Sequence, residues 1–419
     1  MVGPLLSTLF YSTKNTYMTS VCLYFKVHQP YRLALAGSYT GNRYNTTPVE
    51  QFGISRLADT CYLPANKLLL QLIEQQQGHF NISFSISGTV IELLQRYRPD
   101  VIESFRQLVN TGCVEILAET YYHSLASLHS QKEWRRQVAM HSEKVQQVFG
   151  VTPAIYRNTE LIHNNAIAAA VAEMNVKGIL CEGVERILEG RSANRIYKAP
   201  GGIPLLLRNA RLSDDIAFRF DDHSWSEHPL TANKFAEWLH SHPTGTDVIN
   251  LFIDYETFGI HKEASTGIFD FLQALPGEVL KHEGFAFALP AELLGSHPPV
   301  DEYNVNTTTS WEDRVDAACV WSENSMQHNM LHKIYSLENM VLSTGDEQAL
   351  AKWGQLQSAD HFYYMTRHNE KYRNPYSTGQ EAYEQYIEVI NDFEINLIRN
   401  GLEQVKKSAS SKHFASSIL

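Results

Sequence analysis

Two acidic residues close an apolar run in the stretch LFIDYETFG, residues 251–259. Leu251, Phe252 and Ile253 read as a buried strand, and Asp254 and Glu256 follow where the apolar residues stop. Side chains alternate across a strand, so the two carboxyls share one face while Tyr255 points away. A third acid, Glu160, ends another apolar stretch in IYRNTELIHNN, three residues after Arg157. One strand-end carboxylate beside a cation is ordinary surface chemistry. Two of them, brought from different strands to one place, are what cleavage of a glycosidic bond needs: one attacks or stabilises the sugar carbon and the other protonates the leaving oxygen. As the partner of Glu160, the residue pattern leaves Asp254, Glu256, Glu119 and Asp214 open.

Other polar and aromatic groups accompany these acids. His28 stands in KVHQPYRL, and Glu119 and His123 flank two tyrosines in LAETYYHSL. Trp321 opens WSENSMQ, and Asp360 lies in SADHFYYM. Trp and Tyr faces suit sugar rings, which present an apolar C–H face bordered by hydroxyls. Each stretch alone reads as core as readily as site; together they point to a carbohydrate. Metal binding is the rival chemistry, with His28, His79, His123, His163, His261 and Asp254 available. No HxH, HExxH or HxD pair links these residues, so no metal and no cofactor is expected.

The elements that must position these groups alternate. Seven segments read as buried strands: 21–28, 80–87, 114–119, 154–160, 177–182, 204–209 and 248–255. Stretches of helical period, such as NKLLLQLIEQQQ and KEWRRQVAMHSEKVQQVFG, separate most of them. Alternating strand and helix implies parallel strands with right-handed crossovers. No glycine-rich phosphate loop follows any strand, which disfavours a dinucleotide-binding sheet. The expected fold is α/β, a seven-stranded (β/α)7 incomplete TIM-like barrel over 18–290, with polar residues at the C-terminal strand ends where such barrels carry their sites. A helical domain over 291–402 is expected to lid the cleft. Residues 1–17 read as a disordered extension before Met18, and 403–419 as a loose polar tail.

Bulk properties exclude several partners. A chain of 419 residues with 43% hydrophobic residues supports a large core. Lys and Arg number 35 against 46 Asp and Glu, a net charge of −11, and no basic cluster occurs. Nucleic acid and anionic membrane are poor partners for such a surface, and no apolar run is long enough to span a bilayer. Five scattered cysteines without a CxxC pair point to a reducing compartment, and the N-terminus lacks the charged start of a signal peptide, so a cytoplasmic location is expected. Oligomeric state leaves no mark in the sequence.

Five of these stretches, HQPYRL, LAETYYHSL, YRNTELIHNN, DYETFG and SADHFYYM, resemble in order the five sequence regions of glycoside hydrolase family 57, nearest its α-amylase-like members. LLLRNARLSDDIAFRF and NEKYRNPYS resemble the same subgroup, and the likeness covers roughly residues 18 to 400. It implies a seven-stranded barrel with a helical domain and a retaining mechanism on α-1,4-glucans, with Glu160 as nucleophile and Asp254 as acid/base. Glu256 then supports Asp254, and His28, Glu119, His123, Arg208, Trp321 and Asp360 bind substrate. Ala359 departs from the more polar fifth region of the family but leaves Asp360 intact. The same catalytic pair would serve a 4-α-glucanotransferase or branching enzyme, in which an acceptor sugar replaces water. A maltodextrin-binding protein without turnover is the third possibility, disfavoured by retention of both acids.

Overall fold

The computed structural model describes residues 18–33, 47–243, 245–312, 320–366 and 374–416. All seven expected strands form: β1 Thr19–Val27, β2 Ile82–Ile86, β3 Val114–Ile116, β4 Ile155–Arg157, β5 Gly178–Glu182, β6 Pro204–Arg208 and β7 Val248–Asp254. They run parallel in the order β3-β2-β1-β7-β6-β5-β4. A bridge from Ala118 to Tyr156 brings the two ends together. The result is an incomplete TIM-like barrel, one strand short of eight. Two seams are thin. β6 and β7 share one register pair, Arg208 with Asn250, and β3 meets β4 through the Ala118 bridge. Three short strands lie outside the sequence pattern: Ile196–Lys198 antiparallel to β6, Phe285–Phe287 beside β1, and Asp301–Glu302 beside Ile196–Lys198. Runs this short carry no readable period.

Alternation along each strand sorts the core into layers. β1 turns Leu23, Phe25 and Val27 outward against the helices, and Cys22 and Tyr24 into the barrel. β7 does the same with Ile249, Leu251 and Ile253 outside and Val248 and Phe252 inside. On the other half of the barrel Tyr156, Ile179, Cys181, Leu205 and Leu207 face outward into a separate cluster, which also contains Met330, Ile334, Trp353 and Phe362. Those last residues belong to the helices Ser325–Ser336, Glu347–Gln355 and Ala359–Tyr363. Barrel and helical region therefore share one core, each buried side chain of this size contributing about 1.5–3 kcal/mol. At the rim, strand ends become helix caps: Ser87 accepts the Val90 N–H to start Gly88–Tyr97, and Asn209 accepts the Leu212 N–H to start Ala210–Ala217.

The last helix, Gly379–Ser416, continues past residue 402, where the polar composition suggests a loose tail. Its Leu, Glu, Gln, Lys and Ala residues are good helix formers, and that preference prevails over polarity. Residues 1–17 lie outside the described residues. Among the described residues no helix is long and apolar enough to cross a membrane, and Cys22, Cys61, Cys113 and Cys181 are buried and free.

One contact of the helical region is testable. Gly354 lies on the ring of Tyr122 so closely that a Cβ there would stand 2.1 Å from the ring atom Cε2. Gly354→Ala is expected to lower stability by about 1–3 kcal/mol through overpacking, read as a fall in the urea midpoint. An unchanged midpoint would mean that the two surfaces part without cost.

Candidate active site

At the C-terminal rim the strands turn charged or hydroxyl side chains into the barrel. Tyr24, Leu117, Ile155, Leu180, Leu206 and Phe252 form the apolar layer beneath. Two residues further along each chain stand Lys26, Glu119, Arg157, Glu182, Arg208 and Asp254, with Ser85 supplied by β2. Around the ring the charges alternate in sign. Lys26 Nζ is 3.0 Å from Asp254 Oδ1, Arg208 Nη1 is 3.3 Å from Glu182 Oε2, and Arg157 Nη1 is 3.4 Å from Glu119 Oε2. Ser85 donates its hydroxyl to Glu119 Oε1 at 2.8 Å. Strand register makes Lys26 the direct neighbour of Asp254. Burial pushes the Glu182 carboxyl up to about 7 against the charge of Arg208.

Glu160 sits on a turn just beyond β4. Its φ of +54° and that of Leu161, +53°, are left-handed, which is costly for residues with a Cβ. The residues before it hold that turn. Trp134 Nε1–H donates to the Tyr156 hydroxyl at 2.7 Å, which in turn donates to Asn158 Oδ1 at 2.7 Å. The Asn158 amide donates to the Ile162 carbonyl at 2.8 Å and to Ser127 Oγ at 2.9 Å. The carboxylate that emerges is held at both oxygens: His123 Nε2 lies 2.6 Å from Oε1, and Trp311 Nε1–H donates to Oε2 at 2.5 Å. Lys26 Nζ lies 3.7 Å from Oε1. Burial opposes ionisation of Glu160, but Lys26, then His123 and Arg157, outweigh it and hold the carboxyl well below the usual range. His123 bridges two carboxylates, its Nδ1 lying 3.4 Å from Glu119 Oε2. Burial disfavours its proton, yet the hydrogen bonds to Glu119 and Glu160 prevail and raise it. Both imidazole nitrogens of His123 then act as donors.

Glu160 and Asp254 meet at the junction of two lobes of a cleft, both lined by Lys26, Glu160, Asp254, His261 and Trp311. The smaller lobe, about 100 Å³, adds Arg208, Phe218 and Phe252. The larger, about 370 Å³, adds His28, Gln29, Glu256, Trp321, Asp360 and Tyr363. Phe218, 41% exposed, stacks on Trp311 with ring centres 6.2 Å apart and planes at 16°, forming an aromatic wall. The Asp254 side chain is 32% exposed. Glu256 accepts from the Tyr62 hydroxyl at 2.5 Å and from Gln29 Nε2 at 3.4 Å. Burial, then the charge of Asp254, pushes it up to about 7. The glycine of DYETFG has a local reason: Gly259 has φ +107°, and a Cβ would stand 2.0 Å from the Thr60 carbonyl oxygen.

Of the residues expected to touch substrate, His28, Trp321 and Asp360 border the larger lobe and Arg208 the smaller. Glu119 and His123 border neither, being fully buried. They reach the cleft through Glu160, a correction that follows from the tight turn of LAETYYHSL, which tucks His123 beneath the nucleophile candidate. Trp321 is only 2% exposed, its ring 5.7 Å from that of Tyr363, so little of it is open to a ligand, whereas Phe218 is 41% exposed. Arg208 is engaged by Glu182, by the Phe252 carbonyl at 3.1 Å and by Asp214 at 2.6 Å. Asp214 is thus paired with Arg208, whereas Asp254 lines both lobes beside Glu160 and Glu256 lines the larger. Sequence reading missed Lys26, Trp311 and Phe218. Lys26 carried the faint signal of a cation at an inward strand position; Trp311 lies in TTTSWED, which has no period.

His28 Nε2 lies 2.9 Å from Asp360 Oδ2, its Nδ1 lies 2.7 Å from Ser87 Oγ, and its ring stacks on that of His123 at 4.0 Å. Burial, and then His123, hold the His28 imidazole below its ordinary range, so the neutral ring donates from Nε2 to Asp360. Although His28, His123 and Asp360 bring donor atoms within 4.8 Å of one another, these atoms hold hydrogen bonds to each other and to Ser87 and Glu160. The His28–Asp360 hydrogen bond, with His123 stacked on His28, ties barrel to helical region.

The sequence profile of glycosyl hydrolase family 57 matches residues 22–306. A Methanocaldococcus jannaschii protein named "Putative alpha-amylase" is 37% identical over 393 residues, covering 88% of this chain and 83% of its own. Among solved structures, a family 57 branching enzyme of Thermococcus kodakaraensis superposes with a TM-score of 0.65 at 14% identity, over 90% of this chain and 89% of that one. An α-amylase of Thermotoga maritima gives 0.62 at 12% identity, over 91% and 94%. A 4-α-glucanotransferase of Thermococcus litoralis gives 0.64 at 14% identity, over 82% of this chain but 56% of that one.

The ring predicts a pH-dependent stability. Because Glu182 is pushed up to about 7 in the folded protein, its contribution favours folding at low pH and is lost as pH rises through about 7. Arg208→Met would leave its charge unpaired. A loss of about 3–5 kcal/mol is expected at pH 8, and a smaller one at pH 5, where Glu182 takes up a proton. Urea unfolding at the two pH values checks this; equal losses would mean that Glu182 does not feel Arg208.

Proposed function

Since the chain belongs to glycosyl hydrolase family 57, we propose that it cleaves α-1,4-glucosidic bonds of glucans and maltooligosaccharides with retention of configuration. Glu160 is the nucleophile and Asp254 the acid/base. The observation that carries this reading is Lys26, which reaches both acids. Its Nζ lies 3.0 Å from Asp254 Oδ1 and 3.7 Å from Glu160 Oε1, so these oxygens are at most the sum of the two, 6.7 Å, apart. Retaining enzymes hold their carboxyls about 5–5.5 Å apart and inverting ones roughly 6.5–9.5 Å. This ceiling on the two facing oxygens admits the retaining spacing, which supports that reading.

In the first step Glu160 attacks the anomeric carbon while Asp254 gives its proton to the glycosidic oxygen, so a C–O ester bond to Glu160 forms as the bond to the leaving sugar breaks. In the second step Asp254 takes a proton from water, whose oxygen displaces Glu160. His123, charged and buried against Oε1, favours the carboxylate form that Glu160 regains there. Trp311 and Phe218 offer the sugar an aromatic face, and His28 and Asp360 offer polar groups along the larger lobe. Glu256 has its own partners, Tyr62 and Gln29, and serves the site through the turn that it shares with Asp254.

Asp254→Asn is expected to lower kcat about 10²–10⁴-fold on natural glucans, and less on substrates whose leaving group needs no proton. Glu160→Gln should nearly abolish turnover, with azide restoring some and giving product of inverted configuration. Glu256→Gln should cost less than either. Normal turnover by Asp254→Asn would reject the assignment. Product analysis on maltooligosaccharides separates water from sugar as acceptor: glucose and maltose mark hydrolysis, and longer chains mark transfer.

A further inference from the structure

Lys26 is placed by register, with Ser85 on one side and Asp254 on the other, and its side chain is only 16% exposed. We infer that Lys26 is a positioning residue for the reaction: its ammonium holds Glu160 and Asp254 within reach of one anomeric carbon and keeps Glu160 charged for attack. This rests on the reading of Glu160 as nucleophile. Two carboxylates at such a separation repel, and the relief available to them is for one to take a proton. In the first step that proton belongs on Asp254, and a cation beside Glu160 Oε1 keeps it off Glu160. Other groups act on the same two atoms. His123, from the turn after β3, and Arg157, from β4, also favour the charged Glu160, His123 by both a hydrogen bond and its charge, and the charge of Lys26 stands first among the single contributions that oppose burial. Facing Lys26 are Asp254 from β7, Glu160, and the like charge of Arg157, which opposes it.

The arrangement also changes usefully during turnover. When Glu160 forms the ester its charge is gone, and the ammonium is left facing Asp254, whose carboxylate form the second step requires. When the ester breaks, Asp254 holds the proton taken from water and the ammonium again faces the Glu160 anion. Lys26 thus touches no sugar atom in this scheme, and its loss should be felt in kcat more than in KM.

The test is kcat/KM against pH on a maltooligosaccharide for the wild type, Lys26→Met and Lys26→Arg, with circular dichroism at each pH to exclude unfolding. Without the ammonium the Glu160 anion is less stabilised, so its protonation moves to higher pH. The acid limb of Lys26→Met is expected about one to three pH units above that of the wild type, with kcat down at least about tenfold and KM within about threefold. Lys26→Arg should keep the wild-type limb. Should Lys26→Met not fold, Lys26→Gln, which can donate a hydrogen bond but carries no charge, is expected to show the same upward shift. Coincident limbs in the uncharged variant and the wild type, with Glu160→Gln inactive, would overturn the role of Lys26 alone. Turnover retained by Glu160→Gln would instead overturn the reading of the nucleophile on which it rests.

Discussion

Three cations and three anions stand at the mouth of this barrel with little water around most of them, and each must have an opposite charge beside it. Taking an ion out of water costs several kcal/mol, which only a well-placed partner offsets. The alternating ring meets that demand strand by strand, and its members also fasten the barrel where backbone pairing is weakest. Arg157 reaches across the seam between β4 and the end of β3 to Glu119. Arg208 crosses from β6 to the Phe252 carbonyl of β7. Where the sheet is thin, guanidinium groups replace missing ladder bonds. The same ring presents Lys26, Asp254 and, through His123, Glu160 to the cleft, so the solution to a folding problem is also the floor of the site.

The helical region contributes to both tasks. Its core is continuous with the outer face of β4–β6, and Asp360 meets His28 at the rim. Barrel residues answer from the other side: Tyr31 and Tyr121 donate to Glu92 at 2.6 and 2.5 Å, which ties the HQPY turn to the first tyrosine of LAETYYHSL. The larger lobe of the cleft is therefore walled by residues far apart in the chain, and its shape depends on packing between them.

Much of this is legible in the sequence. The barrel strands are mostly apolar runs, though β2 alternates its apolar residues with Ser83 and Ser85 and β7 carries Asn250, and their polar ends mark the rim. Asp254, Glu160 and His28 stand out because short motifs at strand ends are local in sequence, and Asp360 because it lies in the short motif SADHFYYM. What escaped depends on relations between strands. That Lys26 faces Asp254 is a matter of register, and nothing in KVHQPYRL states which strand lies beside it. That Glu119 and His123 lie behind the cleft follows from a left-handed turn at His123 (φ +52°), a conformation without a sequence signature when the residue is not glycine. Trp311 comes from an aperiodic loop, whereas Trp321 looked the better platform in sequence and is packed away in the helical core.

The alternating ring has a bearing on how such a sequence can drift. Removing one member strands its neighbour's charge, at a cost of about 3–5 kcal/mol, a large share of the roughly 5–15 kcal/mol that keeps a domain folded. Replacing an adjacent pair together by apolar residues of like volume can be neutral or favourable. Lineages are therefore channelled toward compensated double exchanges around the circle, and single steps are the forbidden moves. Lys26 and Asp254 form one such couple, so an ancestor that abandoned catalysis could shed both and keep its fold, whereas losing Asp254 alone would leave a buried ammonium facing only Glu160.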